Sequence, residues 1–243
     1  MNPTVVRLAF SSLLGRARSL GLLALPLVLL AVCLLARLAG GEPQSSDGTL
    51  GRAVLSGLGL AVVVPLLALL VAAQLLGNEM DDGTIAYLLS KPIPRWHIVV
   101  SKLVAAITTT LLLGAVSMAL ASLILDHTDP GKALGWAVGA AVASVAYSAL
   151  FLALSSMTKH SVVWGLMYLL VWEGALATLL EGISWLSIRS WSTRIAGWAG
   201  DMSVISADSA PLGYAWVASG VVLVAGTVWA AYRLRGLSIT GDD

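Results

Sequence analysis

Apolar runs and short polar stretches alternate along the whole chain. Six segments are mostly apolar over about 20 residues or more, the length at which a helix crosses the hydrocarbon core of a bilayer: 20–39, 54–77, 98–125, 133–157, 161–180 and 212–232. The third is the longest and must tilt or project beyond the lipid. The connections at 40–53, 78–97, 126–132, 158–160 and 181–211 hold the polar and turn-forming residues, and none could fold as a sizeable soluble domain. The pattern predicts an all-α membrane protein in which residues 1–243 form one domain of six transmembrane helices.

Two amphipathic segments flank the spans. In residues 1–19, Asn2 can cap a helix and Pro3 suits its first position. Val5, Val6, Ala9, Phe10, Leu13, Leu14 and Ala17 then recur on one face, with Arg7, Ser11, Ser12, Arg16 and Arg18 opposite. This predicts an interfacial helix with snorkelling arginines; a bend between Gly15 and Leu20 would separate it from a plain extension of the first span. In residues 181–211, Ile188, Trp191, Ile195, Trp198 and Met202 follow one another at spacings of three and four, with Trp185 before them. That stripe predicts an outer amphipathic helix before the last span, either re-entrant in the outer leaflet or packed on the outer ends of the bundle.

Composition narrows the class. The chain is 58% hydrophobic and 11% charged, where soluble domains carry about 25% charged residues. Its 14 Lys+Arg nearly balance 13 Asp+Glu, which excludes a basic nucleic-acid-binding face and an acidic disordered tail. The single cysteine, Cys33, excludes an internal disulfide framework and a Cys-based zinc site. Leu30-Ala31-Val32-Cys33 is faintly similar to a lipoprotein cleavage site, but Val32 is too large. The apolar run also exceeds a signal core of about 7–15 residues, so the first span is expected to be retained.

Basic residues set the orientation. With the N-terminus in the cytoplasm, Arg7, Arg16, Arg18, Lys91, Arg95, Lys102, Lys159, Arg233 and Arg235 fall on the inner side, and Arg37, Arg52, Lys132, Arg189 and Arg194 on the outer. Both termini are therefore expected in the cytoplasm. Trp96, Trp164 and Trp229 fall near inner span ends and Trp136 and Trp216 near outer ones, as amphipathic rings at headgroup level do.

The cytoplasmic connection 78–97 carries the strongest functional signal. Glu79, Asp81 and Asp82 cluster at the start of a short predicted helix, where acids complement the helix dipole. Ile85, Leu88 and Leu89 stand at i, i+3 and i+4 and give it an apolar face. Lys91 follows its last turn, and Pro92 and Pro94 end it. A short stiff helix fixed to two spans can transmit a push.

This stretch resembles the signature loop of ABC-2-type permeases, the membrane subunits of one class of ATP-driven transporters. The family pattern is a Glu, Gly-Thr, a Leu-Leu-Ser-like run, Pro, Arg and a final Lys, standing here as Glu79, Gly83-Thr84, Leu88-Leu89-Ser90, Pro92, Arg95 and Lys102. The spans, the N-terminal amphipathic segment and the outer segment extend the likeness. Tyr168-Leu169-Leu170-Val171-Trp172-Glu173-Gly174 resembles a fifth-span sequence of many actinobacterial members.

The resemblance implies a multi-pass permease subunit of a bacterial inner (cytoplasmic) membrane, exporting an apolar or amphiphilic compound by alternating access. It implies a coupling helix within 78–97, seated in a groove of a separate ATPase. Glu79, Asp82, Gly83, Thr84, Leu88, Leu89, Pro92 and Arg95 would then make the coupling contact. It further implies two copies of that ATPase subunit carrying ATP and Mg, and a second permease chain, as homodimer or heterodimer. Leu88 and Leu89 would bury in the groove while the acids and Arg95 set register. The same Glu79, Asp82 and Thr84 would also serve merely to cap a helix, with Arg95 on lipid phosphate.

A phosphate loop needs G-x-x-x-x-G-K-[ST]; the single Gly-Lys here, Gly131-Lys132, is followed by Ala133 and has Asp126 at the first glycine position. The chain is thus not expected to be an enzyme, nor to hold a cofactor or metal itself. Glu173 is the one acid deep in a span, about 12 residues from the inner end of the fifth. Carboxylates there usually face a cavity or partner, which makes Glu173 a candidate for the substrate path or an intersubunit contact, bonding an indole or a hydroxyl. A protonated carboxyl, or one hydrated from the outer headgroups, is the alternative. Asp126-His127-Thr128-Asp129 reads as an outer turn, and Gly135 and Gly139 as a GxxxG packing pair. Two other function classes fit: a non-transporting membrane anchor or sensor coupled to an ATPase, and a proton-coupled carrier using Glu173.

Overall fold

The computed structural model describes residues 16–40, 46, 48–77, 95–158, 160–176, 183–202 and 211–236, and among these it contains helices and no strand. In lipid the backbone must satisfy its own hydrogen bonds, and these Leu-, Ala- and Val-rich runs do so as helices. Helix α1 is Arg16–Gly40. Helix α2, residues 49–77, is α-helical at Thr49–Arg52 and Val64–Ala72 and has wider i→i+5 (π) turns at Ala53–Val63 and Ala73–Gly77. Pro65 sits at the start of the second α stretch; it has no N–H to donate, so the helix changes its bonding where that donor is lost.

Helix α3, residues 95–125, runs Arg95–Thr110, a π turn Leu111–Ala115, then Val116–Leu125. Helix α4 is Pro130–Ser155. Helix α5, residues 161–176, is Ser161–Met167 followed by a π stretch Tyr168–Leu176. A short 3-10 turn, Ile183–Leu186, leads into α6, Ile188–Ala199, and α7 is Leu212–Gly236.

Among the described residues five helices are long and apolar enough to cross a membrane: α1, α2, α3, α4 and α7. The sequence predicts six. The difference is α5, which is apolar but is described only over Ser161–Leu176, short of that length; residues 177–180 of the predicted span lie outside the described residues. So do residues 1–15 of the predicted interfacial helix and residues 78–94 of the predicted coupling loop. Residues 16–19, placed in the interfacial segment by sequence, belong to α1 without a break.

Helix α4 is the centre of the bundle. It packs against α2, α3, α6 and α7, and Trp136, Tyr147 and Phe151 on it are fully buried. Its Ala, Gly and Ser positions allow close approach on several sides. Helices α1 and α7 are peripheral and turn Leu27, Leu35 and Leu38, and Val217, Val221 and Val224, outward. Continuous apolar faces of this kind suit lipid and not water.

The end of the bundle away from α2's C-terminus is tied by polar contacts. Arg37 Nη1 donates to the Ile124 carbonyl at 2.8 Å, joining α1 to α3. Asp129 caps α4 by accepting from Gly131 N at 3.1 Å, with Pro130 in the first turn. Asp126 accepts from Thr128 N and Oγ1 and lies 3.6 Å from Lys132 Nζ. Burial raises the Asp126 carboxyl, but the Thr128 bonds and the Lys132 ammonium outweigh it and hold it below the ordinary aspartate value.

A depressed folded-state value means this stabilisation is fully present above the unfolded value of about 3.9 and is lost as pH falls through the folded value. Asp126→Asn is expected to cost about 1 kcal/mol near neutral pH and to flatten the acid side of the thermal-stability curve. Equal acid sensitivity in variant and parent would remove the assignment.

Candidate functional site

Of the residues that the sequence singles out for ATPase contact, Glu79, Asp82, Gly83, Thr84, Leu88, Leu89 and Pro92 lie outside the described residues. Arg95 is the first residue of α3. The base on which that segment stands is described. Helix α2 ends there in the π turn Ala73–Gly77, whose last carbonyls lack helical donors. Lys102 reaches across from α3, and its Nζ donates to the Leu75 carbonyl at 2.6 Å. The side chain is buried, with its cation at the negative end of a helix. The two spans that flank the segment are thus joined directly at its foot.

The second cluster surrounds Glu173. It lies in the π stretch of α5 and is 1% exposed. Its Oε1 accepts from Ile188 N at 3.0 Å and its Oε2 accepts from Ser187 Oγ. Ser187 is the N-cap of α6, and its Oγ also accepts from Ser190 N at 3.3 Å. A helix begins with N–H groups that have no helical partner, and a carboxylate is favoured at that positive end. Glu173 therefore extends the N-cap of α6 from a different helix.

The sequence offers no base within a span to pair with this acid. In the fold Arg189, the second residue of α6, joins Glu173 around a recess of about 340 Å³ between α2 and α5, whose other walls include Ala61, Val62, Leu166 and Leu170. Tyr147 of α4 and Tyr168 of α5 also lie within electrostatic reach of the carboxylate.

Helix α6 is seated by glycines. A Cβ at Gly135 would stand 2.6 Å from the Ala196 carbonyl oxygen, and one at Gly139 would stand 2.6 Å from the Ser192 carbonyl oxygen. The GxxxG pair of α4 thus receives the backbone of α6, and this packing rotates the helix relative to its sequence stripe. Ile188, Trp191, Ser192, Ile195 and Ala196 are buried, whereas Trp198 is 58% exposed. Small residues take the contact face because α4 approaches too closely for an indole. Trp191 Nε1 donates to the Trp185 carbonyl at 2.7 Å, and Ser56 Oγ of α2 lies 3.3 Å from Thr193 Oγ1.

Sequence reasoning missed Ser187, Arg189 and Tyr147. Ser187 had a signal, a serine immediately before a helical stripe; the other two are brought in by tertiary packing alone.

A family model described as ABC-2 family transporter protein matches residues 21–184 of the 243. The chain belongs to the ABC-2 transporter family. As an ABC-2 permease it is a transmembrane transport component, of a kind that works with an ATPase subunit and as a dimer. The match runs through Glu173 and ends before its partners Ser187 and Ile188. No curated protein matches the permease.

Proposed function

We propose that this permease is the membrane half of an ATP-driven exporter in a bacterial inner membrane, with both termini cytoplasmic, moving an apolar or amphiphilic compound by alternating access. Two chains, alike or different, assemble with two ATPase subunits that carry ATP and Mg. The 78–97 segment is the coupling helix, with Leu88 and Leu89 seated in the ATPase and Glu79, Asp82 and Arg95 fixing its register. Gly83 and Thr84 shape its first turn, and Pro92 stiffens its end.

The observation that carries this reading is the family match, which runs without interruption through the loop residues. Two features support it. Lys102 joins α2 to α3 at the foot of the segment, so a displacement there moves both spans. The recess between α2 and α5 has mainly apolar walls, which suits an apolar or amphiphilic cargo better than a strongly charged one.

The test is co-purification of the ATPase with the tagged permease. Leu88→Asp places a charge in an apolar contact and is expected to abolish recovery of the ATPase. Glu79→Ala is expected to weaken it by roughly tenfold, the factor of one lost charge-assisted bond. Both variants should reach the membrane at parental levels. Undiminished recovery and undiminished ATP hydrolysis in both would refute the coupling assignment.

A further inference from the structure

The bonds at Glu173 join two helices through a polar tie set among apolar side chains. Helix α5 packs on α2 and α4, and α6 packs on α4, α7 and α2. The carboxylate of α5 reaches into the start of α6 and takes two of its donors. Breaking this tie with nothing in its place would strand a buried carboxylate and a backbone N–H, which is steeply unfavourable. An element held in that way either never moves or moves onto a second donor.

A second donor is present. The Tyr147 hydroxyl on α4 is fully buried and has no hydrogen-bond partner, and it lies within electrostatic reach of the Glu173 carboxylate. A buried hydroxyl without a partner calls for an explanation. Here it stands beside an acceptor that is already engaged elsewhere. Arg189 belongs to α6 and lines the same recess as Glu173, so any lifting of α6 also withdraws the guanidinium from that recess.

We propose that Glu173 is the latch of the outer helix: its carboxylate caps α6 in the docked state and passes to the Tyr147 hydroxyl when α6 lifts. Glu173 is on this account a positioning residue for opening one end of the bundle and does not hold cargo. The proposal deepens the transporter reading and rests on it only for what drives the lifting.

The experiment uses the full-length chain in membrane vesicles, with Cys33→Ala and the pair Ser56→Cys and Thr193→Cys. The two hydroxyl oxygens are 3.3 Å apart, so disulfide formation reports α6 docked on α2. Amide hydrogen exchange at Ile188 reports spontaneous lifting. Glu173→Ala is expected to lower the cross-linked fraction and speed Ile188 exchange, each by roughly tenfold, and Ser187→Ala by less. Glu173→Gln keeps an acceptor for Ile188 N and gains a donor for Ser187 Oγ, so it should behave as the parent. A residue that binds cargo through its charge would not be rescued by the amide.

Tyr147→Phe removes the second donor and should slow Ile188 exchange while leaving the cross-link complete. Parental values in Glu173→Ala, or Ala-like values in Glu173→Gln, overturn the latch. Unchanged or faster exchange in Tyr147→Phe overturns the hand-over. With the ATPase and ATP added, the parent's cross-linked fraction should fall. If it does not fall while Glu173→Ala still loses the cross-link, the latch is supported and ATP-driven lifting is refuted.

Discussion

Replacing Gly139 by leucine is expected to push the outer helix off the bundle, and to do so more severely than any other single change in α4. A Cβ at this position would stand 2.6 Å from the Ser192 carbonyl oxygen and 2.7 Å from the Ala196 Cβ. These atoms belong to the backbone and first side-chain carbon of a regular helix, and they cannot swing aside as the end of a long side chain can. Helix α6 must shift as a body. In shifting it uncovers Trp191 and Ile195, which are buried, and draws Ile188 N and Ser187 Oγ away from Glu173.

Overpacking alone costs about 3 kcal/mol at the upper end of its usual range, and the exposed side chains and stranded carboxylate add to it. The variant should melt well below the parent and be cleaved rapidly within 183–202 by added protease. Gly220→Ala on α7 is the matched control, because a Cβ there meets nothing within 4 Å. It should be neutral or slightly stabilising, as helix propensity favours alanine. Parental protease resistance in Gly139→Leu would mean that the α4–α6 contact is not what holds the outer helix.

The contrast between these glycines shows what a sequence can and cannot convey. Gly135 and Gly139 announce a close helix contact by their spacing, but the spacing does not say which helix arrives. The fold answers that it is α6, and the answer then explains why Trp198 leaves the stripe. A run of Ile188, Trp191, Ile195 and Trp198 looks like one apolar face when only hydrophobicity is counted. Once the partner surface is two glycines, the contact selects Ser192 and Ala196 by size, and the indole of Trp198 is turned out.

Helix existence was legible for a simple reason: in lipid, an apolar run has few ways to pair its backbone other than a helix. The start of α4 at Asp129-Pro130 is equally local, since a capping acid followed by proline carries its own geometry. The π stretches were not legible. Those in α3 and α5 contain no proline, so no residue within them marks the change of bonding. The consequence at α5 is functional, because Glu173 lies within its π stretch, and reading that helix as uniform α would misplace the residue relative to Tyr147 and Ser187. Sequence could say that an acid so deep in a span must have a partner. It could not say that the partner was the beginning of another helix, because Ser187 is 14 residues away across a turn.

Lys102 illustrates the same limit on the opposite face, and it carries the second large effect. By sequence it is a basic residue near an inner span end, one of nine that orient the chain. In the fold it is 3% exposed and donates to the Leu75 carbonyl at 2.6 Å. Lys102→Met preserves the length and apolar stem of the side chain and removes the ammonium, so packing is largely kept while this bond to the end of α2 is lost. A hydrogen bond from a charged donor contributes about 1.5–3 kcal/mol, and local opening should become more frequent by roughly tenfold or more.

Amide exchange should accelerate at residues 73–77 and 99–103 and stay unchanged in α4. The complex with the ATPase should still form, because the residues proposed to touch it are intact. ATP hydrolysis should then cease to alter α6, as read by the Ser56–Thr193 cross-link, since a push delivered between two spans that no longer move together is dissipated at their junction. Binding retained with transmission lost is the signature of a joint. Loss of the ATPase itself would instead place Lys102 in the docking surface, and parental exchange at residues 73–77 would show that the bond to Leu75 contributes nothing to holding the two spans together.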